Sequence, residues 1–143
     1  MLQLRIVDGW TGDRALQEIL VLVVEDDPLI RMMVEETLHD SGYSTDTATS
    51  GEEALAMLES TVEYRALVTD VSMGGETTGW DVAQRARELI PDVPVVYVTS
   101  AAAAEWTSRG VPKSILIQKP FAPAQITTGI SQLLNTGDAL SAS

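Results

Sequence analysis

The order of apolar and polar residues from Leu20 onward is the feature that most constrains the fold. Short runs rich in β-branched residues alternate with segments in which apolar residues recur at helical spacing, giving five such units. This alternation is typical of repeated strand–helix units around a parallel sheet. The first run, Leu20 to Val24, is apolar at every position, as a strand covered on both faces requires. The sequence therefore predicts an α/β fold with the first strand near the centre of the sheet.

The remaining elements follow from the same pattern. Strands are predicted at Tyr43 to Thr47, Ala66 to Thr69, Val93 to Val98 and Ser114 to Gln118. Capping residues or a proline favour helix starts at Asp27-Pro28, at the S-x-x-E sequence of Ser50 to Glu53 and at Pro123. A further helix is predicted from Gly79 to about Ile90, with its inward positions at Val82, Ala86, Leu89 and Ile90. The segment from Ala101 to Gly110 is only weakly amphipathic.

The pattern also predicts the domain organisation. A length of 143 residues suits a single domain with one sizeable core. The repeated units occupy residues 20–136. Residues 1–19 lie outside the pattern and are expected to form an extension to which no role is assigned. Residues 137–143 are small and polar, and are expected to form a flexible tail.

Composition excludes several classes of function. A formal net charge of −12 disfavours direct binding to nucleic acid or to anionic lipid. The absence of cysteine excludes disulfides, thiolate catalysis and sulfur-ligated metals. The apolar run from Ile19 to Val24 is too short to cross a bilayer, which takes about 20 residues. We therefore expect no membrane insertion and a cytoplasmic location.

Polar side chains follow four of the predicted strands. Glu25 and Asp26 follow the first strand, Asp70 the third, Thr99 the fourth and Lys119 the fifth. In a parallel sheet the carboxyl ends of the strands lie at one edge, where such folds bind ligands. The sequence thus predicts that carboxylates, a hydroxyl and an ammonium converge there.

This set of groups indicates a chemistry. Clustered carboxylates repel one another unless a cation joins them, and an all-oxygen site favours Mg²⁺. A carboxylate beside Mg²⁺, a lysine and a threonine suits phosphoryl transfer, because the phosphoryl oxygens need positive charge and hydrogen bonds. Asp70 is then the predicted nucleophile. Lys119 is one of only two lysines in the chain.

Other polar or aromatic residues have simpler explanations. Asp27 is explained as a helix cap, and His39 as a cation at the end of the first helix. Trp80 and Trp106 are expected to pack rather than to bind a ligand. The glycines at Gly74, Gly75 and Gly79 form no phosphate-binding loop, since no Gly-Lys-Ser/Thr sequence follows.

Taken together, four motifs resemble the receiver domain of response regulators over about Leu20 to Leu134. They are Val23-Val24-Glu25-Asp26-Asp27, Val68-Thr69-Asp70 with Met73 and Gly79, Val98-Thr99-Ser100, and Gln118-Lys119-Pro120-Phe121. The resemblance implies a doubly wound, five-stranded parallel sheet of the (βα)5 flavodoxin-like type, with strand order 2-1-3-4-5.

The resemblance also implies a role for each site residue. Asp70 would be phosphorylated, with Thr99 and Lys119 contacting the phosphoryl group. Mg²⁺ would be bound directly by Asp26 and Asp70, through water by Glu25, and by the backbone carbonyl of Ser72. The Lys119-Pro120 peptide bond would be cis.

A bacterial receiver is a signalling protein rather than an enzyme, since it catalyses only its own phosphorylation and dephosphorylation. The resemblance implies a stand-alone receiver, phosphorylated by a histidine kinase or a phosphotransfer protein. Its output would be a downstream protein or a second copy, bound through the face of helix 4, strand 5 and helix 5. The chain departs from the family pattern at three places. Gly74-Gly75 follows Met73 where many receivers have a proline, which predicts a more mobile loop. Leu116 replaces a common aromatic residue and the Ala101 to Ala104 run replaces a better-patterned helix, and both of these concern the switch.

Three other functions remain as alternatives. A phosphatase with an aspartate nucleophile also uses Mg²⁺, but it normally has a second acid two residues on, where Ser72 stands. A flavodoxin-like cofactor binder would need a phosphate loop where this chain has Glu25 and Asp26. A receiver that only drains phosphoryl groups from a relay is the third.

Overall fold

A computed structural model of the protein describes residues 19–100 and 104–142, with side chains described as far as residue 136. Its centre is a parallel five-stranded sheet in the order β2-β1-β3-β4-β5. The strands are β1 (Leu20–Val24), β2 (Ser44–Ala48), β3 (Ala66–Asp70), β4 (Val95–Thr99) and β5 (Ser114–Gln118). The predicted fold class and strand order are confirmed.

Within the described residues, five helices connect and follow the strands. They are α1 (Pro28–Asp40), α2 (Gly51–Leu58), α3 (Gly79–Leu89), α4 (Ala104–Arg109) and α5 (Pro123–Ala142). Apolar residues of α1 and α5 pack on one face of the sheet in a cluster that includes Val34, Leu38, Ile126 and Ile130. Residues of α2 and α3 pack on the other face in a cluster that includes Ala54, Leu58, Val82 and Ala86. The sheet is thus covered on both sides, which explains why β1, β3 and β4 are apolar along most of their length.

Local capping sets the helix starts that position the site. Asp27 is the N-cap of α1, and its Oδ1 accepts from the backbone N–H groups of Leu29 and Ile30. Ser50 caps α2 through the N–H of Glu53. Both starts are confirmed. The reciprocal half of the predicted capping box is absent there, because the Glu53 carboxylate instead accepts from the N–H and hydroxyl of Thr49.

A complete capping box occurs where the sequence pattern does not predict one. Thr78 caps α3 through the N–H of Asp81, and the Asp81 carboxylate accepts from the N–H of Thr78. Aspartate in place of glutamate or glutamine at this position conceals the motif. The box fixes the start of α3, immediately beyond the loop that leaves β3.

Some predicted boundaries are wrong. Leu89 is exposed rather than buried, because the chain leaves helical geometry at Ile90, which turns back to pack against the core in its place. The helix α5 runs from Pro123 to Ala142 and so includes most of the residues that the sequence predicts as a tail, 137–143. The predicted extension 1–19 lies outside the described residues except for Ile19. Among the helices described, none combines the length and apolar character needed to span a membrane.

Candidate functional site

The sheet brings the predicted site residues to one edge. Asp70 and Thr99 are the last residues of β3 and β4, Glu25 and Asp26 follow β1, and Lys119 follows β5. Asp70 is 5% exposed, Glu25 3% and Thr99 2%, whereas Asp26 is exposed. An open cleft of about 600 Å³ is lined by Glu25, Asp26, Asp70 and Lys119, together with Asp27, Pro28, Leu29, Ser72 and Ser100, whereas Thr99 is not among the lining residues.

Lys119 joins the two buried carboxylates. Its Nζ lies 3.0 Å from Oδ2 of Asp70 and 3.4 Å from Oε1 of Glu25. Partial burial disfavours the ammonium, but the hydrogen bond and charge of Asp70, with the charge of Glu25, outweigh this and raise the pKa of Lys119. Lys119 therefore places one cation between two nearly buried carboxyl groups.

The pKa of the Glu25 carboxyl differs from that of an exposed glutamate. Burial raises the pKa of its carboxyl to about 7, and the nearby charge of Asp70 adds to the rise. The N–H of Asp27, 3.1 Å from Oε2, and the ammonium of Lys119 act in the opposite direction. A further cation beside Glu25 and Asp70 would lower the cost of holding both carboxylates charged.

The carboxylates have the arrangement of a metal site. One oxygen each from Glu25, Asp26 and Asp70 can be chosen so that all three lie within 4.8 Å of one another. The donors are carboxylate oxygens, and the cleft leaves room for water, which together suit Mg²⁺. Ser72 lies at the same cleft, and its N–H is 3.3 Å from Oδ1 of Asp70.

Backbone contacts hold Asp70 at the edge. The N–H of Val71 donates to the carbonyl of Val98 at 3.0 Å, and the N–H of Gly79 donates to the carbonyl of Val71 at 2.8 Å. A Cβ atom at Gly79 would lie 2.1 Å from the carbonyl oxygen of Asp70. The start of α3 therefore packs directly against the backbone of the candidate nucleophile, and only glycine allows that approach.

A backbone hydrogen bond also links Lys119 to Thr99. The N–H of Lys119 donates to the carbonyl of Thr99 at 2.8 Å. The peptide bond between Lys119 and Pro120 is cis, as the resemblance implies. The hydrogen bond continues the parallel pairing of β4 with β5, so the ends of these two strands lie side by side.

Two residues at or near the site are not predicted by the sequence motifs. Arg31 of α1 donates from Nη1 to the backbone carbonyl of Glu25 at 2.9 Å, so it supports the acidic turn after β1. Its place one turn after the Asp27 cap is the only signal for this contact. Glu52 of α2 accepts from the N–H of Thr77 at 3.0 Å, and no sequence pattern links these two positions.

Comparison with known proteins identifies the family. Residues 21–131 match the family model for the response regulator receiver domain, and the chain belongs to this family. It is 31% identical over 125 residues to a probable transcriptional regulator, ycf27, of Pyropia yezoensis, covering 86% of this chain and 50% of that protein. It is 27% identical over 116 residues to the response regulator SaeR of Staphylococcus aureus, covering 80% and 50%. The chain thus spans about half the length of these curated relatives.

Solved structures show the same similarity. A response regulator receiver protein from Sinorhizobium medicae is 41% identical with a TM-score of 0.81, covering 84% of this chain and 97% of its own. The chemotaxis protein CheY4 of Vibrio cholerae is 29% identical with a TM-score of 0.73, covering 81% and 98%. The response regulator TrrA of Thermotoga maritima, in complex with Mg²⁺-BeF, is 28% identical with a TM-score of 0.69, covering 80% and 97%.

Proposed function

We propose that this receiver domain takes a phosphoryl group onto Asp70 from a phosphohistidine of a histidine kinase or phosphotransfer protein. The observation that carries the proposal is the contact of Lys119 with Asp70, at 3.0 Å, inside the cluster of Glu25, Asp26 and Asp70. A nucleophilic carboxylate is here held beside a fixed cation and two further acids. That combination suits acceptance of a phosphoryl group, whose oxygens need positive charge around them.

Each residue has a distinct role in this proposal. An Asp70 carboxylate oxygen forms the bond to phosphorus as the bond from phosphorus to the histidine nitrogen breaks, and the imidazole leaves with the electron pair. Lys119 neutralises charge on the phosphoryl oxygens, and Thr99 donates a hydrogen bond to them. Asp26, Asp70 and the Ser72 carbonyl would hold Mg²⁺ directly, and Glu25 through water. When bound, Mg²⁺ would supply positive charge to the phosphoryl oxygens, and the Mg²⁺-BeF complex of the similar protein TrrA supports this assignment.

The output would be a protein–protein contact rather than a chemical reaction on another substrate. The surface of α4, β5 and α5 is the proposed contact for a downstream protein or a second copy. A stand-alone role, a cytoplasmic location and the absence of direct nucleic-acid binding stay predictions. A phosphate sink shares the same site. The phosphatase alternative gains no support, because the position two residues after Asp70 is Ser72.

Phosphorylation of Asp70 can be tested by intact mass. With Mg²⁺ and a small phosphodonor such as acetyl phosphate, the wild-type protein should gain one phosphoryl mass, and Asp70→Asn should gain none. Asp27→Asn is the matched control, because asparagine also caps a helix and Asp27 is not a proposed ligand. A phosphoryl adduct on Asp70→Asn would show that the acceptor is another residue.

The metal site has a separate test. Asp26→Ala removes one proposed direct ligand from an exposed position, so folding should be little affected. We expect Mg²⁺ affinity to fall roughly tenfold or more, as when a metal site loses a group that it depends on. Calorimetric titration measures it, with Glu63→Gln as control, because Glu63 is an exposed acid outside the residues that line the cleft. An unchanged affinity would contradict the proposed Mg²⁺ site.

A further inference from the structure

The loop that joins β3 to α3, residues 71–78, is attached to the molecule at its two ends. At one end, the N–H of Ser72 is 3.3 Å from Asp70, and Met73 is buried. At the other end, Thr78 caps α3 and Gly79 packs against the Asp70 carbonyl. Between these anchors the chain includes two consecutive glycines, which lose more conformational freedom on ordering than any other residue.

A carboxylate from α2 makes the third attachment. Oε2 of Glu52 accepts from the backbone N–H of Thr77 at 3.0 Å. Hydrogen bonds to its carboxylate from its own N–H, and from the N–H and hydroxyl of Thr77, lower the pKa of Glu52. The carboxylate therefore stays charged near neutral pH, and charge-assisted hydrogen bonds of this kind are stronger than neutral ones.

Two glycines near this hydrogen bond allow the loop and α2 to approach closely. A Cβ atom at Gly75 would lie 2.9 Å from Oε1 of Glu52, so the loop passes directly beside the carboxylate. A Cβ atom at Gly51, the residue before Glu52, would lie 2.6 Å from the carbonyl oxygen of Thr77. At Gly74, by contrast, an added Cβ would meet nothing within 4 Å. Only one of the two consecutive glycines is thus needed for the approach to α2.

We propose that Glu52 is a positioning residue, which holds the 71–78 loop against α2 and so keeps Ser72 and Asp70 in the geometry that binds Mg²⁺. The inference rests on the proposed function, because it assigns Glu52 a role toward that metal site. Glu52 itself touches neither the metal ligands nor the phosphoryl acceptor. Without it, the stretch from Gly74 to Thr77 would lose its hydrogen bond to α2. Mg²⁺ binding would then have to order that stretch, and this entropic cost would weaken the binding.

Calorimetric Mg²⁺ titration of four variants tests the proposal. Glu52→Ala should weaken Mg²⁺ binding about tenfold, which corresponds to the cost of ordering the backbone of roughly one loop residue. Glu52→Gln should lose less, because its amide oxygen can still accept from Thr77. Gly75→Ala should also weaken binding, since its new methyl group displaces the Glu52 carboxylate without changing the charge. Gly74→Ala, where the space is open, should bind Mg²⁺ as the wild type does.

The remaining control concerns charge. Glu53→Gln removes one negative charge at the neighbouring position, whose carboxylate contacts Thr49 instead of the loop. It should leave Mg²⁺ affinity unchanged if position rather than charge matters. Amide hydrogen exchange gives a second readout: the Thr77 N–H should exchange faster in Glu52→Ala and Gly75→Ala only.

The outcomes separate this inference from the proposed function. If Asp26→Ala weakens Mg²⁺ binding while Glu52→Ala and Gly75→Ala do not, the positioning role is wrong and the metal site stands. Equal losses in Glu53→Gln and Glu52→Ala would also overturn the role, because they would reflect net charge alone. If Asp26→Ala itself has no effect, the metal site fails, whereas faster exchange at Thr77 would still show the Glu52 contact.

Discussion

The segments that follow β3 and β4 differ in how firmly they are attached to the core. The helix after β3, α3, has eleven residues, of which five are buried, and begins at a complete capping box. The helix after β4, α4, has six residues, none of them buried. The start of α3 packs against the backbone of Asp70, and α4 is the next helix after Thr99 in the chain. The helix that follows Asp70 is therefore held by more buried residues than the helix that follows Thr99.

Two side chains of α4, Trp106 and Arg109, contact neighbouring elements. The indole N–H of Trp106 donates to Oγ of Ser114 at 2.9 Å, and Arg109 lies over the ring of Trp80 at 6.0 Å. Trp80 itself belongs to α3, is 2% exposed and packs on Tyr97 with ring centroids 4.7 Å apart. Short helices with little buried surface open at low free-energy cost. A signal from Asp70 is therefore expected to appear at α4 rather than at α3.

The largest expected difference between the two segments is the effect of removing a tryptophan from each. Trp80→Ala should destabilise the protein by roughly 3–5 kcal/mol, as for other buried aromatic residues. Trp106→Ala should cost about 1 kcal/mol, because its ring is only partly buried. Urea unfolding monitored by circular dichroism measures both. Similar costs for the two variants would show that α4 is as firmly packed as α3.

A smaller difference in stability is expected between alanine substitutions of two glycines, one at the start of α3 and one just after α4. Gly79→Ala places a methyl group against the Asp70 carbonyl and should cost roughly 3 kcal/mol, since the backbone there cannot easily move. Gly110→Ala also meets a close neighbour, the Trp106 ring, at 2.3 Å. There the Trp106 ring is only partly buried and can turn aside, so the expected cost is about 1 kcal/mol or less. Urea unfolding gives both values, provided that the variants keep the wild-type m value. A Gly110→Ala cost as large as that of Gly79→Ala would show that the end of α4 is as firmly packed as the start of α3.

The smallest effect is a change of amide exchange on phosphorylation. With a phosphate mimic bound, Thr99 should move toward the new oxygens and bias the order of residues 101–110, of which 101–103 lie outside the described residues. Exchange should change most in 104–110 and at Gly74-Gly75, and least in α3.

Lys119→Gln is the matched variant for this measurement. It should still be phosphorylated, but the change at α4 should be reduced, because the amide cannot supply the charge that draws the ends of β4 and β5 to the phosphoryl group. If α4 responds equally in Lys119→Gln and wild type, the signal does not pass through this lysine. Identical exchange of α4 with and without the mimic would place the switch elsewhere.

Local sequence determined most of the secondary structure of this protein and the positions of its candidate site residues at the strand ends. The β-branched runs, the helical periodicities, and the caps at Asp27 and Ser50 depend on residues close in the chain, so they are visible without a structure. The polar residues at the strand ends are also predictable, because all strands of a parallel sheet end at one edge. This rule brings Asp70, Thr99 and Lys119 to the same edge, as the structure has them.

Only the tertiary structure decided how these groups act on one another. The raised pKa of Glu25 depends on burial and on Asp70, 45 positions away in the numbering of the chain. The contact of Glu52 with Thr77 joins two elements separated by 25 residues. The exposure of Leu89 depends on where the chain leaves the helix. Such properties arise from distances and solvent exclusion between remote segments, which periodicity and capping rules do not contain.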